Sequence, residues 1–142
     1  MATNKRRLEA ALSAVPLFEG LSRRHLRRLA GLSEVADYMA GHSIVREGEP
    51  GDAFYVVLAG QGTVTAGGKR LRRVLPGDHF GEISLLDGGP RSATVSSETP
   101  MTLLVLERPR FLQAMREEPE VALKLAAGLA RQVRRSTRSV LG

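Results

Sequence analysis

Apolar positions recur with two different rhythms along the chain. Leu8, Leu12 and Val15 fall at three- and four-residue spacing, as do Leu26, Leu29 and Ala30 after Ser22, a residue suited to cap a helix. This predicts N-terminal helices over about residues 5–30. The rhythm then changes to short β-branched or aromatic runs: Leu32–Tyr38, Ser43–Glu47, Ala53–Leu58, Gly62–Ala66, Lys69–Leu75, Arg91–Ser97 and Met101–Glu107. Each has the length of a strand. Helical spacing returns after Glu107. Pro109 suits the first turn of a helix holding Phe111, Leu112 and Met115. Pro119 opens a longer helix with Val121, Leu125, Leu129 and Val133 on one stripe, extending to about Ser136 with Gly128 inside it.

Glycine divides the chain at the same places. Ten of the 15 glycines lie between Gly48 and Gly89, where they punctuate the strand candidates as tight turns. Gly48-Glu49-Pro50-Gly51-Asp52 reads as a structural turn and Gly67-Gly68 as a two-residue hairpin turn. The predicted order is helices, a small barrel or sandwich over about residues 32–107, and two C-terminal helices over about 108–138. A length of 142 residues leaves room for one domain, 1–142.

Composition removes several function classes. There are no cysteines, which excludes disulfide scaffolds, thiolate metal sites and a cysteine nucleophile, and fits a reducing cytoplasm. No run of 18 apolar residues occurs, so no membrane insertion is expected. The net charge of +6 is unevenly placed: residues 1–30 and 108–142 each carry +5, and the middle carries −4. Arg23, Arg24, Arg27 and Arg28 share one predicted helix, and Arg131, Arg134, Arg135 and Arg138 another. Such runs read as solvated faces, with nucleic acid or an acidic partner as the other reading. No aromatic residue interleaves with them, so binding of nucleic acid by this chain alone is not expected.

The chemistry concentrates in residues 76–95. Glu82–Leu86, after Gly81, suits a single helical turn whose first amides lack intrahelical partners. With a glycine that permits close approach, this arrangement suits an anion. Arg91 is the one charge leading into the small, β-branched stretch Ser92-Ala93-Thr94-Val95 and calls for an anionic partner. Glu82 is the internal candidate for that partner; otherwise its carboxylate faces a ligand and accepts from a sugar hydroxyl. One phosphate and one ribose within ten residues describe a nucleotide.

The run Phe80-Gly81-Glu82-Ile83-Ser84-Leu85-Leu86, followed by Pro90-Arg91-Ser92-Ala93-Thr94-Val95, resembles the phosphate-binding cassette of cyclic nucleotide-binding domains. These are the sensor domains of catabolite activators, cyclic-nucleotide-gated channels and kinase regulatory subunits. The resemblance extends to Val15-Pro16-Leu17-Phe18 and Gly48-Glu49-Pro50-Gly51-Asp52 and covers roughly residues 8–136. It implies an α+β fold in which the barrel is an antiparallel β-roll or jelly roll (a double-stranded β-helix) with the cassette at about 80–95.

The implied roles follow residue by residue. Glu82 accepts from the ribose 2′-hydroxyl; the amides of Ile83 and Ser84, with Gly81 allowing approach, bind the cyclic phosphate. Arg91 neutralises the phosphate charge, and Ser92 and Ala93 add contacts beside it. The base is covered from the last helix, where Leu129, Gln132 and Val133 lie in the right region and Gln132 is the chosen residue. Serine after the arginine favours cAMP over cGMP as the ligand, and a singly charged diester needs no metal. The expected function is a cytoplasmic sensor that relays binding through movement of its C-terminal helix to an effector protein or a homodimer partner.

Other readings stand beside this one. Glu82 and Arg91 pair with each other in the structural alternative. His25, His42 and His79 lack metal-ligand spacing and read as surface residues, which weakens a cupin-type metal barrel. No catalytic constellation is present, so no enzyme is expected. A catabolite-activator regulator carries a helix-turn-helix domain after the sensor, whereas this sequence stops at Gly142. The expectation is then a stand-alone sensor, a sensor fragment of such a regulator, or the detached regulatory part of a channel or enzyme; a ligand-free interaction module of the same fold is a separate reading, against which the intact Gly81, Glu82 and Arg91 set counts.

Overall fold

The computed structural model describes the backbone of residues 2–141 and the side chains of residues 4–137, which leaves Arg138 outside the described side chains. Residues 1–32 and 112–142 form a helical unit, and residues 33–111 form a β unit.

The β unit holds eight strands, all paired antiparallel: β1 (Glu34–Tyr38), β2 (Ser43–Val45), β3 (Ala53–Ala59), β4 (Gly62–Ala66), β5 (Lys69–Val74), β6 (His79–Phe80), β7 (Thr94–Ser97) and β8 (Met101–Glu107). They make two four-stranded sheets, ordered β1-β8-β3-β6 and β2-β7-β4-β5. Alternate residues of β3 and β8 turn inward, so Tyr55, Val57, Met101 and Leu103 join Val45, Val64, Val74, Phe80 and Val95 in one apolar core. The opposite face of β3 is also buried, with Phe54 and Val56 at 0–1 % exposure. The fold is therefore the expected α+β jelly-roll arrangement. Gly67 and Gly68 both have positive φ (58° and 77°), which the tight β4–β5 turn requires and other residues resist.

A short helix, α3 (Glu82–Asp87), follows β6. Strand β7 begins at Thr94, not at Arg91 as the pattern predicts. The backbone of Arg91 is already engaged by the turn before β3: the Arg91 amide donates to the Glu49 carbonyl (2.8 Å) and the Gly48 amide to the Arg91 carbonyl (2.9 Å). The Gly51 amide donates to Gly89 (3.0 Å), and Pro50 bridges to Pro90. The turn expected to be a plain structural corner is fastened along the second half of the cassette.

The helical unit comprises α1 (Ala2–Ser13), a 3-10 turn (Pro16–Phe18), α2 (Arg23–Leu32) and most of α4 (Arg108–Glu117), with α5 (Pro119–Leu141). The Ser22 hydroxyl accepts from the His25 amide (3.2 Å), an N-terminal cap for α2. Leu12, Leu17, Phe18 and Leu29 lie at 0–1 % exposure, and Val121 and Leu125 of α5 are buried. The stripe ends there: Val133 is 58 % exposed within this chain.

His25 corrects the surface reading of the three histidines. It is 3 % exposed, and its Nε2 lies 2.9 Å from Glu120 Oε1 and 3.8 Å from Glu118 Oε2. Helical spacing turns it inward beside Leu26 and Leu29, where carboxylates from the start of α5 replace the lost water. The arginine runs are partly engaged within the same unit. Arg24 meets Glu118 and Glu120, Arg28 meets Glu117, and Arg131 and Arg135 meet Glu19.

Candidate functional site

A cavity of about 330 Å³ opens in the β unit, lined by apolar Val45, Val64, Phe80 and Val95 and by the polar run around α3. Seven of the eight residues singled out in the sequence border it: Gly81, Glu82, Ile83, Ser84, Arg91, Ser92 and Ala93. The eighth, Gln132, lies half-buried on α5 in the helical unit and is not among the lining residues.

Local geometry explains how each is placed. Gly81 ends β6 and starts α3 with φ of 93°, a conformation that favours glycine. A Cβ there would sit 2.6 Å from Arg91 Nη1 and 2.8 Å from the Ala53 carbonyl oxygen, so this position is also closed by packing. The first backbone bond of α3 runs from the Leu85 amide to the Gly81 carbonyl (3.0 Å), which leaves the amides ahead of Leu85 at the open end of the turn. Gly51 gives Ser84 its room, since a Cβ at Gly51 would stand 2.1 Å from that of Ser84. Ile83 is 59 % exposed and borders the cavity, and its amide is one of those ahead of Leu85.

Arg91 is 6 % exposed and borders the cavity. Its Nη2 donates to the Ala53 carbonyl (2.9 Å) and lies 3.7 Å from the exposed carboxylate of Asp52. Its guanidinium carbon is 5.7 Å from the centre of the Tyr55 ring, which stacks on Phe80 at 4.9 Å. Burial pushes the Tyr55 phenol up to about 12, so it is neutral beneath the cation. Nη1 is buried and, among the described residues, has no hydrogen-bond partner. A buried guanidinium with an unsatisfied N–H is costly and fits an arriving anion.

Glu82 does not supply that anion. Its Oε2 lies 2.9 Å from His79 Nδ1, three residues back, so the internal Glu82–Arg91 pair is absent. Burial pushes the Glu82 carboxyl up. The hydrogen bond and charge of His79, a bond from its own backbone amide and the charge of Arg72 outweigh burial and hold it below its ordinary value. The carboxylate is thus ionised and accepts only, as a ligand hydroxyl requires.

Three contributors were not assigned to the site from the sequence, and one of them, His79, was read there as a surface residue although it is half-buried. His79 and Arg72 both line the cavity, and Arg108, at the start of α4, donates to the carbonyls of Leu85 (3.1 Å) and Leu86 (3.3 Å) at the end of α3. For His79 the signal was the three-residue spacing to Glu82 across Gly81; for Arg108 no local signal existed. No group of three His, Cys, Asp or Glu side chains suited to a metal occurs among the described residues. Nor is any described helix long and apolar enough to cross a membrane.

The comparisons with known proteins point to one family. The sequence profile of the family described as "Cyclic nucleotide-binding domain" matches residues 35–118. A CRP-like cAMP-activated global transcriptional regulator of Mycobacterium tuberculosis is 27 % identical over 138 residues, covering 94 % of this chain and 62 % of the regulator. The chain therefore spans less than two thirds of that relative. The N-terminal domain of a transcriptional regulator from Streptomyces coelicolor A3(2) superposes with a TM-score of 0.82 at 31 % identity, covering 89 % of this chain and 94 % of that one. The regulatory domain of Toxoplasma gondii PKA, co-crystallised with cAMP, gives a TM-score of 0.70 at 26 % identity, with 89 % and 51 % covered. With glycine, glutamate and arginine around one cavity and the profile spanning most of the β unit, this chain belongs to the cyclic nucleotide-binding domain family.

Proposed function

We propose that residues 1–142 act as one cytoplasmic sensor domain for a cyclic nucleotide, cAMP in preference to cGMP, and carry out no catalysis. The observation that carries this reading is Arg91 Nη1, buried and, among the described residues, without a partner, on a residue that lines the same cavity as the ionised Glu82. In the bound state the singly charged cyclic phosphate meets Arg91 and the amides of Ile83 and Ser84. Glu82 accepts from the ribose 2′-hydroxyl, while Ser92 and Ala93 line the phosphate edge. The cAMP named for the mycobacterial regulator and for the Toxoplasma PKA regulatory domain supports the choice of base, as does serine at position 92.

Binding shifts the chain between two conformations, and movement of the C-terminal helix passes the signal to an effector or to a second copy. Arg108 supports this relay, because one side chain joins the start of α4 to the last carbonyls of α3. The likeness to the mycobacterial regulator favours a second reading of the context, in which this chain is the sensor part of a transcription regulator.

Calorimetric titration with cAMP and cGMP, alongside Arg91→Ala, tests the proposal. Wild type is expected to bind at micromolar concentration or tighter. The variant is expected to lose about 2–5 kcal/mol, or at least about 30-fold in Kd, as for truncation of a buried charge pair. No heat and no thermal shift with either nucleotide would overturn it.

A further inference from the structure

The ribose side of the cavity contains a residue that the cassette pattern does not require. His79 occupies the two-residue strand β6, paired opposite Val56 of β3, and the preceding residue is fixed as well: the Val57 amide donates to the Asp78 carbonyl (2.8 Å). The imidazole sits 5.9 Å from the Phe54 ring, and its Nδ1 lies 2.9 Å from Glu82 Oε2. A carboxylate only accepts, so Nδ1 carries the hydrogen and the tautomer is set by this contact. The two side chains are 23 % and 26 % exposed, and both line the cavity. A glutamate at the start of a six-residue helix, next to a glycine, would otherwise have several rotamers open to it.

We propose that His79 is a positioning residue for ribose recognition: anchored on β6, it holds one oxygen of Glu82 and leaves the carboxylate's remaining acceptor capacity aimed at a 2′-hydroxyl. The inference rests on the cyclic-nucleotide reading above and deepens it, because it makes the pocket selective for ribo- over 2′-deoxyribonucleotides. Pre-ordering Glu82 removes an entropic cost at binding, and the benefit exists only when the ligand carries the hydroxyl that Glu82 meets.

The test is a ligand-by-variant cycle with the full chain. cAMP and 2′-deoxy-cAMP are titrated against wild type, His79→Leu and His79→Asn, the last keeping an N–H donor near the position of Nδ1. Wild type is expected to prefer cAMP by about 10- to 100-fold, the range for a hydrogen bond to a charged group. His79→Leu is expected to lose most of that preference while its 2′-deoxy-cAMP affinity changes by less than about threefold. His79→Asn is expected to restore much of it. Retained 2′-deoxy-cAMP binding serves as the check that the variant is folded. Equal losses for both ligands, or an undiminished preference in His79→Leu, would overturn the role of His79 and leave the sensor reading standing. Failure of wild type to bind either nucleotide would overturn the sensor reading itself and this inference with it.

Discussion

Gly81 and Arg91 compete for the same few ångströms, so adding one methyl group at position 81 acts on the guanidinium as well as on the backbone. Gly81→Ala forces a left-handed φ on alanine, at about 1–2 kcal/mol of stability, and drives a Cβ against Arg91 Nη1 and the Ala53 carbonyl. The expected outcome is a lower melting temperature together with loss of nucleotide binding in titration. Gly68→Ala is the control: its φ of 77° is strained too, but nothing lies within 4 Å of the added Cβ, so binding is expected to survive. At this scale the sequence told which residues gather around the cavity and little about whom they touch. Glycine, glutamate and arginine were legible from type and spacing. The partners of Arg91 are Ala53 and Asp52, more than thirty residues away, and only the folded sheet brings them near. His25 misled for a related reason, since a polar residue reads as exposed until its carboxylate partner, ninety-five residues away, is known.

Among the elements, the longer helices were readable from their apolar spacing, and the longer strands from runs of strand length set off by glycine turns. β6 was not: two residues carry no period, and the strand exists because β3 offers it an edge. The same holds for the fastening of the turn before β3 onto residues 89–91, which is backbone pairing with no side-chain signature. Helix α5 contains a glycine whose role is also invisible in one dimension. Gly128→Ala on an open helix would stabilise by about 1 kcal/mol, but here the new Cβ would stand 2.7 Å from the Leu17 carbonyl oxygen of the 3-10 turn. The substitution is therefore expected to destabilise, by about 1–3 kcal/mol as overpacking does. Thermal melting decides the sign, and a raised midpoint would show that α5 and the turn are not in close contact.

For the whole molecule, charge and ligand energetics divide along the two units. The helical unit carries thirteen basic and five acidic residues, a net of +8, whereas the β unit carries eight basic and ten acidic residues, a net of −2. The cavity lies in the unit of lower net charge, so its attraction for a nucleotide rests on placed groups and not on bulk charge. Linkage gives the magnitude. Cyclic nucleotide at a hundred times its Kd is expected to stabilise the chain, unfolding as one cooperative unit of 142 residues, by about 2.7 kcal/mol, a rise in melting temperature of roughly 5–10 °C. Scanning calorimetry with and without cAMP reads this, and Arg91→Ala is expected to show no rise.

The backbone ladder between residues 48–51 and 89–91 has a consequence for protein engineering. A graft of residues 80–95 into another scaffold would carry every side chain assigned to the phosphate, yet Arg91 would arrive without the carbonyls and amides that hold its main chain. The transplantable module is discontinuous: the cassette, the Gly48–Asp52 corner and the first residues of β3 have to move as one piece.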